Sequence, residues 1–346
     1  MGGMEAHTHQ LVDALVRRGH DVTLFASGDS DPALPLHAVA DRHYEAVLPW
    51  ALWHGTADLT AFQDAAFGRA WAAIVGSDFD IVHNNAMHPA LHHWALRDGL
   101  PMVTSLHVPP FAGLARMVDI CSASWLRQTA TSHSHLQSWW TAPPASASVV
   151  HNGIDIDRWR YRPKGNGRAA WCGRITPNKG TAVAALAASV AELPIDLYGP
   201  VDCQTYFEDH VAPLLGADCV YHGHLGGPAL IDAIGAASVL VATPMWDEPF
   251  GLVAAEAMAC GVPVAAIDRG ALREVIGNSG ALSPSADPAA LAEAIRLALL
   301  LPRELCRKRV AEHFSITKMI EGYEAAYAAA MAARPSSIAR TAAVLA

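Results

Sequence analysis

The chain has 346 residues and a formal net charge of −9 at pH 7; 52% of its residues are hydrophobic and 16% are charged. This length predicts two domains, and this composition excludes a disordered chain. The negative charge argues against nucleic acid or an anionic membrane as the main partner. Six scattered cysteines without a C-x-x-C pair favour a reducing compartment, and neither a disulfide framework nor a zinc site.

Cellular location is predicted from what the sequence does not contain. The first residues, MGGMEAHTHQ, have neither the basic nor the apolar segment of a signal peptide, and no apolar run of transmembrane length occurs. The sequence therefore predicts a cytoplasmic protein, with peripheral association at the inner membrane as an alternative. No obligatory protein partner is expected.

Strands and helices alternate in the first half of the chain. Helical periodicity runs from Met4 to Arg18, and a buried strand follows at DVTLFAS. Next come a helix over LTAFQDAAFGRAWAAIVG, a strand at FDIVHNN, a helix near HPALHHWALRDG and a strand at PMVTSLH. A strand at RQTATS and a short helix ending near Trp140 complete this half. The Pro- and Ser-rich segment TAPPASAS is predicted to be a connection.

The second half alternates more regularly. Strands are predicted at RAAWCG, PIDLYG, CVYHG, ASVLVAT and VPVAAID, and helices at TAVAALAASVAEL, YFEDHVAPLL, PALIDAIGA and GLVAAEAMA. Such alternation indicates βαβ units and parallel sheets. We therefore predict an α/β protein with two doubly wound, Rossmann-like domains and a ligand cleft at the carboxyl ends of the strands.

The predicted domain boundaries follow from this alternation. An N-terminal domain spans residues 1–150 and a C-terminal, ligand-binding domain spans 151–315. A crossover helix, ITKMIEGYEAAYAAAMAA, closes the fold at 316–333, and residues 334–346 form a mobile tail. The first strand of the N-terminal domain is missing, because the pair Gly2 and Gly3 is followed at once by a helix. We expect that translation starts upstream; the alternative is a poorly stable domain without a central strand.

The segment WCGRITPNKGT is predicted at the turn from the first strand of the second half into a helix. Gly173 permits a tight turn, the amides of the helix end can bind an anion, and Arg174 and Lys179 add two positive charges. The spacing nearly matches a P-loop. However, Asn178 replaces the second glycine and Gly180 replaces the hydroxyl residue that would hold magnesium, so an NTPase is not expected. An ordinary surface turn is the alternative for this segment.

The segment DEPFGLVAAEAMACG places two glutamates in a run of apolar and small residues. Pro249 disfavours helical geometry at Glu248, which predicts that this carboxylate lies in a loop. Glu256 lies more than a turn inside the following helix. Because a buried unpaired carboxylate is costly, Glu256 needs either a structural partner or a ligand, and vicinal hydroxyls are good donors to it. The amides expected to face a phosphate are those of Phe250, Gly251 and Leu252.

These two segments together carry a resemblance. GRITPNKG, followed about seventy residues later by EPFGLVAAEAMACGVPV, resembles the retaining glycosyltransferases of family four, which have the GT-B fold. Their E-x7-E signature matches Glu248 and Glu256, although EPFG differs from the commoner EGFG. The resemblance covers nearly the whole chain, since GGMEAHTHQLVDALVRRGHDVTLFA, FDIVHNN, TSLH and VVHNGIDIDRW also match.

The resemblance implies a nucleotide diphosphate-sugar donor, UDP- or GDP-linked, that is held mainly by the C-terminal domain without a metal ion or a bound cofactor. By this likeness Arg174 and Lys179 hold the diphosphate, Glu248 contacts the sugar hydroxyls and Glu256 binds the ribose hydroxyls. The donor-binding set is thus Gly3, Gly173, Arg174, Lys179, Glu248, Phe250, Gly251, Leu252 and Glu256.

The resemblance also implies a catalytic set and a reaction. His107 matches the N-terminal-domain histidine that faces the donor sugar, and Gly3 matches a glycine turn near the phosphates and the acceptor. With Glu248, Arg174 and Lys179, His107 completes the catalytic residues. The implied reaction is sugar transfer, with retention, to an unidentified small molecule, glycan or lipid-linked sugar.

Three alternatives stay open from the sequence. A nucleotide-sugar epimerase or a phosphorylase could use the same architecture. The former would need no acceptor, and the latter would carry covalently bound pyridoxal phosphate. A non-catalytic nucleotide-sugar binder is the alternative from a different class.

Overall fold

The computed structural model describes residues 3–334, which divide into two compact units. The first unit contains the residues up to Ala130, Ser138–Val149 and the residues from Ile320. The second contains Thr131–Gln137 and Val150–Met319. All strand pairs among the described residues are parallel, as predicted. Of the predicted tail, residues 335–346 lie outside the described part.

The first unit holds a sheet that is divided in two. Its strands are β1 (Leu24–Ser27), β2 (Leu36–Ala40), β3 (Val82–Asn84), β4 (Met102–Leu106), β5 (Leu126–Ala130) and β6 (Ala147–Val149). Its helices are α1 (Gly3–Arg17), α2 (Tyr44–Val47), α3 (Trp50–Trp53), α4 (Ala57–Val75), α5 (Ala90–Asp98) and α6 (Ala112–Ile120), and α7 (His133–Trp139) is shared between the units. β1 pairs with β2 alone, whereas β3, β4, β5 and β6 form a separate four-stranded sheet in that order.

The division leaves an unfilled position. Within the described residues, β1 pairs only with β2 and β3 pairs only with β4. Strands β1 and β3 both line one cavity of about 750 Å³. On this side of the fold the first unit therefore has an open space where a doubly wound sheet would be continuous.

Several short elements of the first unit were not predicted. They are β2, α2, α3, α6 and β6. β6 lies partly within TAPPASAS, which the sequence predicted to be a connection, and that prediction was wrong for its last residues. Ala147 and Val149 pair in register with Gln128 and Ala130 of β5, so pairing with a distant strand overrides the local Pro and Ser composition.

The second unit contains one continuous six-stranded sheet. Its strands are β7 (Ala169–Cys172), β8 (Ile195–Tyr198), β9 (Cys219–Tyr221), β10 (Val239–Ala242), β11 (Val264–Ile267) and β12 (Gly280–Ser283). Their order across the sheet is β12, β11, β10, β7, β8, β9. Strands β8 and β9 lie on one side of β7, whereas β10, β11 and β12 lie on the other side. The sheet therefore has a topological switch point between β7 and β10, and loops at such a point form the usual ligand crevice.

The helices of the second unit cover both faces of this sheet. They are α8 (Thr181–Val190), α9 (Gln204–Tyr206), α10 (Gly227–Ala236), α11 (Leu252–Ala259), α12 (Leu272–Ile276), α13 (Pro288–Ala298) and α14 (Arg303–His313), and α15 (Ile316–Ala332) passes from this unit into the first. Strands buried on both faces read as short apolar runs, such as VLVA in β10 and VAAI in β11. Two apolar cores lie on this framework, and their central residues are fully buried.

The second unit also differs from the prediction in some places. The helix predicted over YFEDHVAPLL is three short pieces: α9, a π-helical turn and a 3₁₀ turn that contains Pro213. Proline removes a donor and clashes with the preceding turn, which explains why one regular helix does not form. The elements after β11, namely α12, β12, α13 and α14, were not predicted.

Two further features of the chain concern its chemistry and surroundings. All six cysteines are free; Cys121, Cys219, Cys260 and Cys306 are buried. Among the described residues, no helix combines the length and the apolarity needed to cross a bilayer.

Candidate active site

The loops that follow β7 and β10 carry the two sequence segments singled out above. Lys179 lies in a 3₁₀ turn after β7, and Glu248 lies in the loop after β10, as predicted. The Nζ atom of Lys179 is 3.0 and 3.1 Å from the two carboxylate oxygens of Glu248. The same Nζ atom lies 5.2 Å from the centroid of the Trp246 ring. A partly buried ion pair therefore marks the switch point of the second sheet.

The main chain of Lys179 is fixed by its neighbours. The hydroxyl of Thr243, at the end of β10, donates to the Lys179 carbonyl at 2.8 Å and accepts from the Trp171 indole N–H at 2.9 Å. Gly180 follows with φ 65°, and a Cβ there would lie 2.4 Å from the Thr243 carbonyl oxygen. Only glycine fits this left-handed position, so the turn that presents Lys179 is rigid.

The Glu248 loop is held in the same way. Thr131 and Ser132 donate their hydroxyls to the Pro249 carbonyl at 2.9 and 2.8 Å. The Ala271 N–H donates to the Glu248 carbonyl at 2.8 Å. Hydrogen bonds to the carbonyls of Glu248 and Pro249 fix the main chain of the loop. The Glu248 carboxylate can therefore change partners without a change in the loop.

The start of α11 is shaped by a second left-handed glycine. Gly251 has φ 90°, and a Cβ there would lie 2.6 Å from the Leu272 side chain. The amides of Gly251 and Leu252 make no hydrogen bond to any residue that the structure describes. Phe250, just before them, is buried in the core. Free amide N–H groups at the start of an eight-residue helix can donate hydrogen bonds to an anion.

Glu256 lies one turn further along α11. Within residues 3–334, its carboxylate makes no hydrogen bond and no ion pair, although the residue is largely removed from solvent. Burial raises the pKa of this carboxyl to about 7, and the charge of Arg158 opposes that rise only in part. Burial also raises the pKa of the Cys172 thiol, to about 12, and the nearby Glu256 adds to the effect. Glu256 is thus a largely buried carboxylate that has no hydrogen-bond donor within residues 3–334.

The remaining predicted residues of the β7 loop have partners other than Lys179 and Glu248. Arg174 is exposed, and its Nη1 atom is 3.2 Å from Asp202 Oδ2. The Gly173 N–H donates to the carbonyl of Tyr198 at 3.0 Å. The two predicted diphosphate cations therefore have different acidic partners, Glu248 for Lys179 and Asp202 for Arg174.

His107 and Gly3 belong to the first unit. His107 follows β4; its Nε2 atom is 3.2 Å from Asn85 Oδ1, and its ring centroid is 4.4 Å from that of His7 in α1. Gly3 is the first residue of the same helix. Burial lowers the pKa of His7 well below its ordinary value and that of His83, nearby, to about 4. His7 and His83 are therefore neutral at pH 7.

A histidine–glutamate cluster next to the Glu248 loop was not predicted. One carboxylate oxygen of Glu274 is 2.9 Å from His133 Nδ1 and 2.6 Å from His151 Nε2. Burial alone would raise the pKa of Glu274, but the hydrogen bonds from His151 and His133 outweigh it and lower the pKa to about 2. These three side chains are close enough to share a metal ion. Glu274 is 141 and 123 residues from His133 and His151 in the chain, so no local spacing indicates the cluster.

Comparison with known proteins gives matches over most of the chain. Residues 1–158 match the family model described as Glycosyltransferase Family 4, and residues 167–300 match that described as Glycosyl transferases group 1. The D-inositol 3-phosphate glycosyltransferase of Streptomyces coelicolor is 30% identical over 85% of this chain and 79% of that protein. The phosphatidyl-myo-inositol mannosyltransferase of Mycobacterium leprae is 28% identical over 89% of this chain and 86% of that protein.

Solved structures are similar at the level of the fold. The sucrose-phosphate synthase of Thermosynechococcus elongatus has a TM-score of 0.74 and 22% identity, covering 96% of this chain and 94% of that one. The Anabaena protein HepE, crystallised with UDP and glucose, has a TM-score of 0.71 and 17% identity, covering 94% of this chain and 96% of that one. Both similarities extend over nearly the full length of each chain.

Proposed function

Because this chain belongs to the glycosyltransferases of the GT-B fold, we propose that it transfers a sugar from a nucleotide diphosphate donor with retention and without a metal ion. UDP and GDP are the proposed nucleotides. The acceptor is a hydroxyl on a small molecule, a glycan or a lipid-linked sugar. Because two relatives are named for inositol compounds, phosphorylated inositols are the first acceptors to test.

The unpaired carboxylate of Glu256 carries this proposal. Two vicinal ribose hydroxyls are donors that could satisfy both of its oxygens. A donor to the ionised form lowers the pKa of a carboxyl, so nucleotide binding would release the proton that burial places on Glu256 near neutral pH. A structural carboxylate would already have such donors, as Glu274 does.

The ion pair of Lys179 and Glu248 supports the same assignment. A sugar diphosphate bound at the switch point would offer phosphate oxygens to Lys179 and sugar hydroxyls to Glu248. Both side chains would then exchange one partner for another while their main chains stay fixed by Thr243, Thr131 and Ser132. Donors that are held in place before the reaction stabilise developing charge without reorganisation.

The proposed reaction breaks the bond between the anomeric carbon and the diphosphate oxygen, and positive charge builds on the sugar. The acceptor hydroxyl attacks from the face that the diphosphate leaves, and its proton passes to a diphosphate oxygen. Lys179, Arg174 and the amides at Gly251 and Leu252 would stabilise the leaving diphosphate. Fixed cations of this kind can supply the charge that a divalent metal supplies elsewhere. The roles of His107 and Gly3 stay predictions.

A thermal-shift titration with UDP, GDP, ADP and TDP, each with and without EDTA, tests the donor site. A nucleotide at about 100 times its Kd should stabilise the second unit by roughly 2.7 kcal/mol and raise its melting temperature by a few degrees. We expect this shift with one nucleotide, unaffected by EDTA and lost in Lys179→Ala and Glu256→Gln. The exposed Lys164→Ala is the matched control. A shift retained in both site variants would contradict the proposal.

Product analysis then separates the alternatives. Incubation of the nucleotide sugar with and without phosphorylated inositols should give an anomerically retained glycoside only when acceptor is present. Conversion of the donor sugar without any acceptor would indicate an epimerase. A pyridoxal phosphate absorbance would indicate a phosphorylase, and binding without turnover on any acceptor would indicate a binder.

A further inference from the structure

The Glu274 cluster joins three separate segments of the second unit. His133 is the first residue of α7, His151 follows β6, and Glu274 lies in α12. The Nδ1 atom of His133, the Nε2 atom of His151 and a carboxylate oxygen of Glu274 all lie within 4.8 Å of one another. Three groups of the kinds that bind metal ions in proteins therefore meet at one point of the fold.

Contacts with other residues hold these three side chains in place. Arg309 donates to the Glu274 carbonyl at 2.6 Å, which fixes the main chain of α12 at this residue. The His151 ring meets the Phe314 ring edge to face, with the centroids 5.2 Å apart. The main-chain N–H of His133 donates to the Glu274 carboxylate at 2.9 Å. Contacts of this kind orient the ligands of a metal site.

The spacing of the three atoms suits a small divalent ion after a minor adjustment. Ligand atoms about 2.0–2.1 Å from a tetrahedral zinc ion are about 3.3 Å apart. The Glu274 oxygen is 2.6 and 2.9 Å from the two imidazole nitrogens, which lie within 4.8 Å of each other. Each atom therefore has to move by less than about 1 Å. Because the His133 side chain is 71% exposed, an ion can enter from solvent and keep a water ligand.

Binding of an ion exchanges hydrogen bonds for coordination bonds. Without the ion, both imidazoles donate to one oxygen of Glu274, because an ionised carboxylate can only accept. With the ion, the proton of each neutral imidazole moves to its other ring nitrogen, and the lone pair that becomes free binds the metal. The number of protons does not change, and the carboxylate offsets one of the two positive charges of the ion.

The ligand types determine which ion fits. Mg²⁺ and Ca²⁺ prefer oxygen ligands, whereas imidazole suits zinc, and two histidines with one glutamate form a common zinc ligand set. Iron(II) also uses two histidines and one carboxylate, but the affinity of a given site rises from Fe²⁺ to Zn²⁺. None of the three ligands is a cysteine, so the scattered cysteines of the sequence do not indicate this set.

We propose that His133, His151 and Glu274 bind one Zn²⁺ ion, with water as a further ligand. The ion links the start of α7 to α12 and so stabilises the second unit. None of its ligands belongs to the donor-binding set. The inference therefore does not depend on the proposed function, and the proposed sugar transfer does not require the ion.

The ion would also reinforce the loop that carries Glu248. The hydroxyl of Ser132, directly before α7, donates to the Pro249 carbonyl at 2.8 Å. The N–H of Ala271, directly before α12, donates to the Glu248 carbonyl at 2.8 Å. The two elements that the ion links are thus the elements whose first turns adjoin the donors to this loop.

Zinc binding to the full chain tests the site. Protein that has been stripped with EDTA and then freed of it is titrated with ZnCl₂ by calorimetry, and MgCl₂ is the control. We expect one Zn²⁺ per chain with a Kd of about 1 μM or tighter, and no binding of Mg²⁺. Zinc at about 100 times its Kd should raise the melting temperature by a few degrees. Absence of stoichiometric zinc binding overturns the proposal.

Single substitutions locate the ligands. Loss of an outer contact already costs about 10- to 100-fold in metal affinity, so loss of a ligand in His133→Ala or Glu274→Gln should raise the Kd of zinc by about 100-fold or more. His210→Ala replaces an exposed histidine elsewhere in the same unit and should leave the Kd unchanged. An equal Kd in wild type and in both site variants overturns the proposal.

X-ray absorption of the zinc-loaded wild type keeps the test independent of folding in the variants. We expect nitrogen and oxygen ligands at about 2.0–2.1 Å, with the scattering of two imidazoles, and no sulfur at about 2.3 Å. Sulfur ligands, or a single imidazole, would show that zinc binds elsewhere and overturn the proposal. EDTA should lower the melting temperature of the zinc-loaded protein, whereas the shift added by a nucleotide is measured against a blank with the same EDTA. Failure of the zinc site is therefore distinguishable from failure of the donor site.

Discussion

The two units of this chain are built from the same kind of element but differ in the middle of the sheet. In the second unit β7 and β10 are adjacent, and six strands run without interruption. In the first unit β1 and β3 are separated by a cavity of about 750 Å³, and the sheet is divided into two and four strands. The central position of a doubly wound sheet is therefore filled in one unit and open in the other.

The difference shows what the central strands contribute. β7 and β10 join the two apolar cores of the second unit and also bring the Lys179 and Glu248 loops to one edge. In the first unit, α1 and β3 carry His7 and His83, and burial lowers the pKa of both histidines. One strand position thus contributes both to stability and to the placement of a site.

Truncation of a core leucine should have the largest effect on the free energy of unfolding. We expect this effect to be larger in the second unit than in the first. Leu240 in β10 is 1% exposed, whereas Leu15 in α1 lines the cavity. Leu240→Ala should cost about 3–5 kcal/mol, and Leu15→Ala roughly 1–2 kcal/mol, because a side chain beside a void has fewer contacts to lose. Urea unfolding followed by hydrogen-exchange mass spectrometry reads each unit separately. Equal costs would mean that the cavity is closed in solution.

Removal of a site residue from each unit should separate donor binding from transfer. Lys179→Ala should lower the rate of transfer by about 10²–10³, because one preorganised donor to the leaving group is lost. His107→Ala should lower the transfer rate while leaving the Kd of the free nucleotide within about twofold, if the second unit alone holds the nucleotide. Steady-state kinetics and calorimetry with the nucleotide measure the two effects. Loss of nucleotide binding in His107→Ala would contradict this division.

The buried Glu256 carboxylate has no hydrogen-bond donor within residues 3–334. The stability of the second unit should therefore depend on pH. The pKa of Glu256 in the folded state, about 7, lies above the ordinary 4.5, so the folded protein binds more protons and loses stability as the pH rises from 4.5 through 7. Glu256→Gln should remove up to about 3 kcal/mol of this loss at pH 8. Urea titrations from pH 5 to pH 8 on wild type and variant measure it. Parallel pH profiles would mean that Glu256 has a partner in solution.

Glu274 should show the opposite pH dependence with a smaller magnitude. Its folded pKa, about 2, lies below the ordinary 4.5, so its contribution is fully present above pH 4.5 and is lost as the pH falls toward 2. Because the carboxylate is partly exposed, Glu274→Gln should cost roughly 1–2 kcal/mol at pH 7 and nothing at pH 2. The exposed Glu312→Gln is the control. A cost that persists at pH 2 would indicate a packing effect instead.

Sequence periodicity was sufficient for much of the fold and for part of the site. The alternation of strands and helices predicted parallel sheets in both units, and Pro249 placed Glu248 in a loop. Local composition did not predict β6, because its formation depends on pairing with β5. It also did not predict the Glu274 cluster, whose histidines lie 141 and 123 residues away in the chain. Contacts between distant segments carry no local pattern.

The free cysteines make the chain its own reporter of local opening. Cys121 is the single cysteine of the first unit, and its thiol is buried with a raised pKa. Cys260 and Cys306, in the second unit, are also fully buried, and burial raises the pKa of these thiols to about 11 and 12. Alkylation requires an accessible thiolate, so these positions react only when their own unit opens. The order in which an alkylating reagent modifies them would record, without any introduced label, which unit opens first.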